Sequence, residues 1–209
     1  MREVRAFRSS AYWLALAAIL LAAALLVAVA PEERTLGAGI KVVYVHVALV
    51  WSGMAGLALA GVLGLGVFIS ASGRLHAGMR VVTWVALGLF VAGLAMSALA
   101  ARLNWGAVFL GEPRVAAALE VFALGVIVQV VNGWLPWLRA RGALNMALVG
   151  VMAVRTMTIT SVLHPTDPIG SSSSRAIQAT FLAMFALCCL AGAWMVGYVL
   201  ARRGAAQEA

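Results

Sequence analysis

Residues 42–70 read VVYVHVALVWSGMAGLALAGVLGLGVFIS, without a single Asp, Glu, Lys or Arg. A helix needs about 20 mainly apolar residues to cross the hydrocarbon core of a bilayer, and this stretch exceeds that length. Transmembrane barrel strands would instead alternate in segments of about 10 residues. The one histidine of the stretch, His46, lies near its start.

Working outward, the same reading applies to Ala11–Ala30, Val81–Ala101, Val115–Trp137, Ala143–Leu163 and Ala176–Ala201. Hydrophobic residues make up 64% of the 209 and charged residues 11%, against roughly 25% charged in a soluble domain. With a mean hydropathy of +1.02 the chain lacks the polar surface to cover itself as a soluble globule. The expectation is an all-α integral membrane protein, one domain over residues 1–209 built as a six-transmembrane-helix bundle. The first apolar run follows Arg2, Arg5 and Arg8 and ends in Pro31-Glu32-Glu33-Arg34; it is read as a retained helix rather than a signal peptide.

Lys and Arg gather on the cytoplasmic side of membrane spans. With a cytoplasmic N-terminus the inner side holds Arg2, Arg5, Arg8, Arg74, Arg80, Arg139, Arg141, Arg202 and Arg203, and the outer side only Arg34, Lys41, Arg102, Arg114 and Arg175. Both termini are therefore expected inside. Trp51, Trp84, Trp105, Trp134 and Trp137 read as interfacial anchors. The net charge of +8 reports this topology; the basic residues come singly or in pairs, without the dense patch of a nucleic-acid surface. Cys188 and Cys189 read as small packing residues, and no Cys-x-x-Cys-His is present to attach heme covalently.

The outer connections are Pro31–Lys41, Arg102–Arg114 and His164–Arg175; the inner ones, Ala71–Arg80 and Leu138–Gly142, read as plain connectors. Gly56, Ala60 and Gly64 recur at four-residue spacing, which permits a close helix crossing.

His46 sits roughly one turn below the outer boundary, at 1.5 Å per residue, and His164 closes the fifth span on the same side. Each alone is accounted for by a hydrogen bond at the interface. Together, on different helices at matched depth, they can ligate an iron from opposite faces of a flat macrocycle. His76 is expected solvated in an inner loop. Lys41, Arg102, Arg114 and Arg175 surround the outer region, where a guanidinium would pair with carboxylates. Arg155, near the middle of the fifth span, would cost about 2.5–3.5 kcal/mol alone. Glu120 is the only carboxylate in the spans. A buried Glu120–Arg155 ion pair is expected, helped by Gln129 or Asn132; a proton or ion pathway is the alternative.

The segment 41–47, Lys-Val-Val-Tyr-Val-His-Val, resembles the first-histidine motif of the six-span heme-handling proteins of bacterial cytochrome c maturation, the CcmC kind. Ser161-Val162-Leu163-His164-Pro165 is similar to their second-histidine motif. Trp105-Gly106, with Glu112 and Arg114, resembles the two ends of their tryptophan-rich loop. That resemblance implies a non-covalent heme b with His46 and His164 as axial ligands. Trp105, Gly106, Phe109, Glu112 and Arg114 would form the heme-binding loop. It further implies a bacterial inner-membrane location with a periplasmic functional face. Its partners would be membrane lipid, a periplasmic heme chaperone and ATP-binding-cassette (ABC) transporter subunits, and it would perform no enzymatic reaction. The chain departs from the pattern at Val108, Phe109 and Gly111, where the family has tryptophans. It departs again at Glu112 for Asp, at Ala48 for Pro, and at Pro165-Thr166-Asp167. A permease-like subunit of an ABC-type complex, relying on Glu120 and Arg155, is the second reading. A b-type electron-transfer subunit fits less well.

Overall fold

The computed structural model describes residues 2–159 and 169–207, with side chains described from 10 to 159 and from 169 to 204. His164, and with it the second-histidine motif from Ser161 to Asp167, lies outside the described residues. The described chain forms six helices, α1 (Arg2–Val29), α2 (Ile40–Ser70), α3 (Gly73–Trp105), α4 (Pro113–Trp134), α5 (Leu138–Thr158) and α6 (Arg175–Gln207). Five of them, all but α5, are long and apolar enough to cross a membrane. The chain is thus a multi-pass α-helical membrane protein.

The helices outrun the apolar stretches. α3 has 33 residues, about 50 Å at 1.5 Å per residue, well beyond the ~30 Å hydrocarbon core. The expected inner connectors are accordingly mostly helical. Only 71–72 separate α2 from α3, where Ala71 adopts a left-handed conformation (φ 51°) and Ser72 caps α3 by accepting the Leu75 N–H. Likewise 135–137 separate α4 from α5. Pro136 holds Leu135 in an extended conformation, as the residue before a proline prefers, and α5 starts at once.

α5 therefore begins at Leu138 rather than Ala143 and has ended by Thr158, not Leu163. Its exit runs Thr156-Met157-Thr158-Ile159, rich in β-branched residues that favour helix less. Both threonine hydroxyls donate back to carbonyls four residues earlier. Arg139, Arg141, Asn145 and Arg155 are what make α5 less apolar than its neighbours.

α2 is the central element. It packs most extensively on α3, then on α5 and α6, while α4 touches only α3 and α5 and α1 leans on α6 and α2. Close approach to α3 is made possible by glycine. A Cβ on Gly53 would sit 2.7–2.8 Å from the backbone and Cβ of Phe90, and one on Gly93 would sit 2.8 Å from Val50 N. Gly56 and Gly64 do not share one partner, because a four-residue step drifts around the helix: Gly56 faces Ala86 of α3, whereas Gly64 meets Gly142 of α5. Ala60 is buried between them. The α2–α5 seam is tight as well, since a Cβ on Gly142 would fall 2.4 Å from the Gly64 carbonyl oxygen.

The α1–α2 connection is a short turn. Glu33 and Gly37 pair through their backbones, Gly37 at φ 53°. The Glu33 carboxylate accepts the N–H groups of Leu36 and Thr35, which holds it below the usual carboxylate range. Lys41 donates to the Ala28 carbonyl at the end of α1, and Tyr44 to Pro31. Tyr12 stacks on Tyr198 and Trp194 donates to the Tyr12 carbonyl, tying α1 to α6. Cys188 packs with Ala48 and Met184, and the Cys189 thiol donates to Ser52.

Two alanine substitutions separate close packing from helix propensity. Gly53→Ala should destabilise the bundle by roughly 1–3 kcal/mol, because α2 and α3 must part. Gly88→Ala, whose Cβ meets nothing within 4 Å, should be neutral or gain up to about 1 kcal/mol. Thermal denaturation in detergent, followed by tryptophan fluorescence, reads both.

Candidate ligand-binding cavity

Successive helices run antiparallel, so one end of the bundle gathers the N-terminal ends of α2, α4 and α6 and the C-terminal ends of α3 and α5. Between them lies a cavity of about 1090 Å³, just above the roughly 300–1,000 Å³ usual for small-molecule and cofactor sites. His46, Trp105, Phe109, Glu112 and Arg114 all line it. His46 of α2 and the 105–114 segment, nearly sixty residues further along the chain, come together around one space.

His46 lies six residues into α2, about 9 Å along the helix. Its Nδ1 is 2.9 Å from the carbonyl oxygen of Gly93 on α3. A carbonyl can only accept, so Nδ1 carries the proton and Nε2 is the basic nitrogen of the ring. Such a second-sphere hydrogen bond fixes the tautomer and plane of a ligating imidazole. Gly93 supplies this contact because, lacking a side chain, it lets α2 come close enough for the ring to reach its backbone.

The α2 and α3 ends are stitched together at the same place. Asn104 donates to the carbonyls of Ala100 and Gly39, and a Cβ on Gly39 would collide with the Asn104 side chain. Trp105 is the last residue of α3. Gly106 follows as its left-handed cap (φ 78°), its N–H donating to the Arg102 carbonyl; it turns the chain and is not among the cavity-lining residues. Glu112, buried, occupies the N-cap position of α4, with Pro113 opening the helix.

Of the expected outer cations, Arg114 faces the cavity, whereas Lys41, Arg102 and Arg175 do not. Arg155 does, which sequence reasoning did not anticipate. With α5 ending at Thr158, Arg155 lies in its last turn rather than in mid-span, where the helix dipole favours a cation. Its Nε and Nη2 donate to Glu120 Oε2. The ion pair joins α4 to α5 as expected, but it is half-exposed, with side chains 43% and 49% accessible, not buried. Gln129 and Asn132 give it no help, since they lie at least nine residues further along α4, more than 13 Å at helical rise.

Trp51 also departs from expectation. It stands eleven residues into α2, lining the cavity edge-on to Phe181 and Phe185 of α6, not at a helix end. Ser97, Thr156 and Gln178 add neutral polar groups. A helical face shared by His46, Val50 and Met54 was the signal that could have found the α2 wall. Nothing in the sequence joins it to Phe181.

Ile159 and Ile169, which bracket the segment containing His164, both line the cavity. Among the described residues no group of three or more His, Cys, Asp or Glu side chains comes together to hold a metal ion. Comparison with protein-family models and with curated proteins returned no match.

Glu120 and Arg155 should be energetically coupled. Glu120→Gln and Arg155→Gln should each lower the thermal midpoint, and the double variant should lose less than the sum of the two single losses, the non-additivity by which a double-mutant cycle reports an interacting pair. Additive losses would mean that the two side chains act separately.

Proposed function

We propose that this chain is a six-span inner-membrane protein that holds a non-covalent heme in the cavity, for presentation to a periplasmic heme chaperone. The observation that carries the proposal is His46. Its Nδ1–H is fixed on a backbone carbonyl, and it sits in a wall shared with Trp105, Phe109, Glu112 and Arg114. That wall matches the chemistry of a porphyrin: apolar and aromatic surface for the ring, a tautomerically fixed imidazole for the iron, and guanidinium for the propionate carboxylates.

His46, through Nε2, and His164, from the segment bracketed by two cavity residues, would hold the iron. Trp105, Phe109, Trp51 and Phe181 would flank the macrocycle, and Arg114 would take a carboxylate. Heme when bound supplies the redox-active iron; the side chains bind and orient it and keep water from one face. α5 serves as the sixth crossing in this reading. Its 21 residues give about 31 Å at helical rise, one hydrocarbon thickness, and it packs along α2 between two apolar spans. The Lys/Arg distribution then puts both termini in the cytoplasm and the cavity on the periplasmic side.

A permease-like subunit of an ABC-type complex is the second reading. Its support is the Glu120–Arg155 pair, whose arginine faces the cavity, an arrangement a polar solute could use as well as a heme.

Purified protein supplied with hemin should show a Soret band whose ligand-field features report imidazole. His46→Ala should abolish most of it. Gly93→Ala, which disturbs the partner of the ring and not the ring itself, should weaken it to a lesser degree. Absorbance no greater than that of an unrelated six-span protein given the same hemin would sink the heme reading.

A further inference from the structure

The end of the bundle remote from the cavity contains a second polar assembly. Asn145 of α5 is fully buried; its Oδ1 accepts from Gln129 Nε2 of α4 and shares with the Met79 carbonyl the hydroxyl proton of Thr83 of α3, and its Nδ2 donates to the Arg141 carbonyl. This lock sets one level at which three helices meet. One turn further from the cavity, Asn132 of α4 comes level with Arg80 of α3 and Arg141 of α5. One more turn along α3 is His76, expected in a solvated loop but found buried within the helix, in the electrostatic field of both arginines.

These side chains have unspent hydrogen-bonding capacity. Among the described residues, His76 Nε2, Arg80 Nε, Gln129 Oε1 and both amide atoms of Asn132 are buried without a partner. Asn132 is 0% exposed. Where lipid surrounds a bundle, polar groups must be satisfied from within, and one orphan would already be unusual. Five such atoms within about two helical turns define a site.

The chemistry of the atoms selects the ligand. Gln129 Oε1 can only accept, because its amide nitrogen is committed to Asn145. Arg80 Nε can only donate, and Asn132 needs to do both. A bare cation would satisfy oxygens only and would face Arg80 and Arg141, while the lone carboxylate of the described helix interiors, Glu120, is engaged with Arg155. An anion would face two carbonyl oxygens. Water donates and accepts, and a buried water typically makes about three hydrogen bonds. We infer that α3, α4 and α5 enclose an internal water site bounded by His76, Arg80, Gln129 and Asn132. It is closed off from the cavity by the Thr83–Asn145–Gln129 lock and the apolar layer of Leu87, Phe90 and Leu148. That layer is thin. Thr83 to Phe90 is seven residues, about 10 Å at helical rise, and Phe90 already lines the cavity. The bundle thus places a largely apolar cavity and a polar compartment on either side of one apolar plug.

Two methionines supply the test. Met79, in the turn between His76 and Thr83, is 0% exposed, and Met184, in the apolar cluster with Ala48 and Cys188, is 1% exposed. X-ray hydroxyl-radical footprinting of the full chain in lipid nanodiscs, read by mass spectrometry, generates radicals from bound water beside buried side chains. Met79 should oxidise several-fold faster than Met184 in the wild type, and Asn132→Leu should bring it down to the Met184 rate. Equal rates in the wild type would overturn the site whether or not the variant folds. A Met79 excess that persists in folded Asn132→Leu would overturn the assignment of Asn132 to it.

Discussion

The closeness of α2 to α3 is the constraint from which the rest of the structure follows. At Gly53 and Gly93 the two backbones approach until no Cβ would fit. Helices in lipid gain little from burying apolar surface, since lipid is as apolar as leucine; they associate through such close packing and through interhelical hydrogen bonds. The Gly93 carbonyl is where the two devices meet. Removing the side chain brings α2 near, and the nearness lets His46 reach the exposed carbonyl. A fixed imidazole is thus a by-product of how the bundle is held together.

The division of the bundle into two ends follows from the same pair. At the end remote from the cavity α4 and α5 are fastened to α3 by amides and a threonine. At the cavity end they stand away from α6, which touches neither of them, and the cavity occupies that separation. Glu120 and Arg155 bridge α4 to α5 at the rim of the open half. An ion pair there need not be fully buried to matter, because lipid on one side and an apolar cavity on the other screen it far less than water would. Its arginine keeps donors beyond the two spent on Glu120, and Arg155 and His46, not the buried amides, line the cavity.

Much of this was legible in the sequence, and the failures share a cause. Hydropathy detects hydrocarbon thickness, so it located the five helices long and apolar enough to cross a membrane, while residue spacing gave the glycine stripe of α2. It could not see that Gly73 to Arg80 and Leu138 to Gly142 continue the helices beyond the apolar core, since charged residues are good helix formers. The same blindness misplaced Arg155: the apolar run continues past Thr158, while the helix stops. The Glu120–Arg155 pairing was readable because no other carboxylate occupied the spans. The partner of His46 was not, because a backbone carbonyl has no letter in a sequence, and neither had the approach that exposes it.

The buried amides show most clearly why composition misleads at the end of the bundle remote from the cavity. Gln129, Asn132 and Asn145 look like isolated polar residues in apolar runs, available to any nearby charge, and Glu120–Arg155 was the obvious charge. Helical rise decides otherwise. Gln129 is nine residues from Glu120, so the two lie more than two turns apart and near opposite faces of α4. Asn145 is ten residues from Arg155 on α5, likewise out of reach. What brings Gln129 and Asn145 together is the antiparallel pairing of α4 and α5, whose register is set by the three-residue break at Pro136. The proline that ends α4 therefore also determines which polar side chains meet, and it segregates the amide lock from the ion pair along the same two helices.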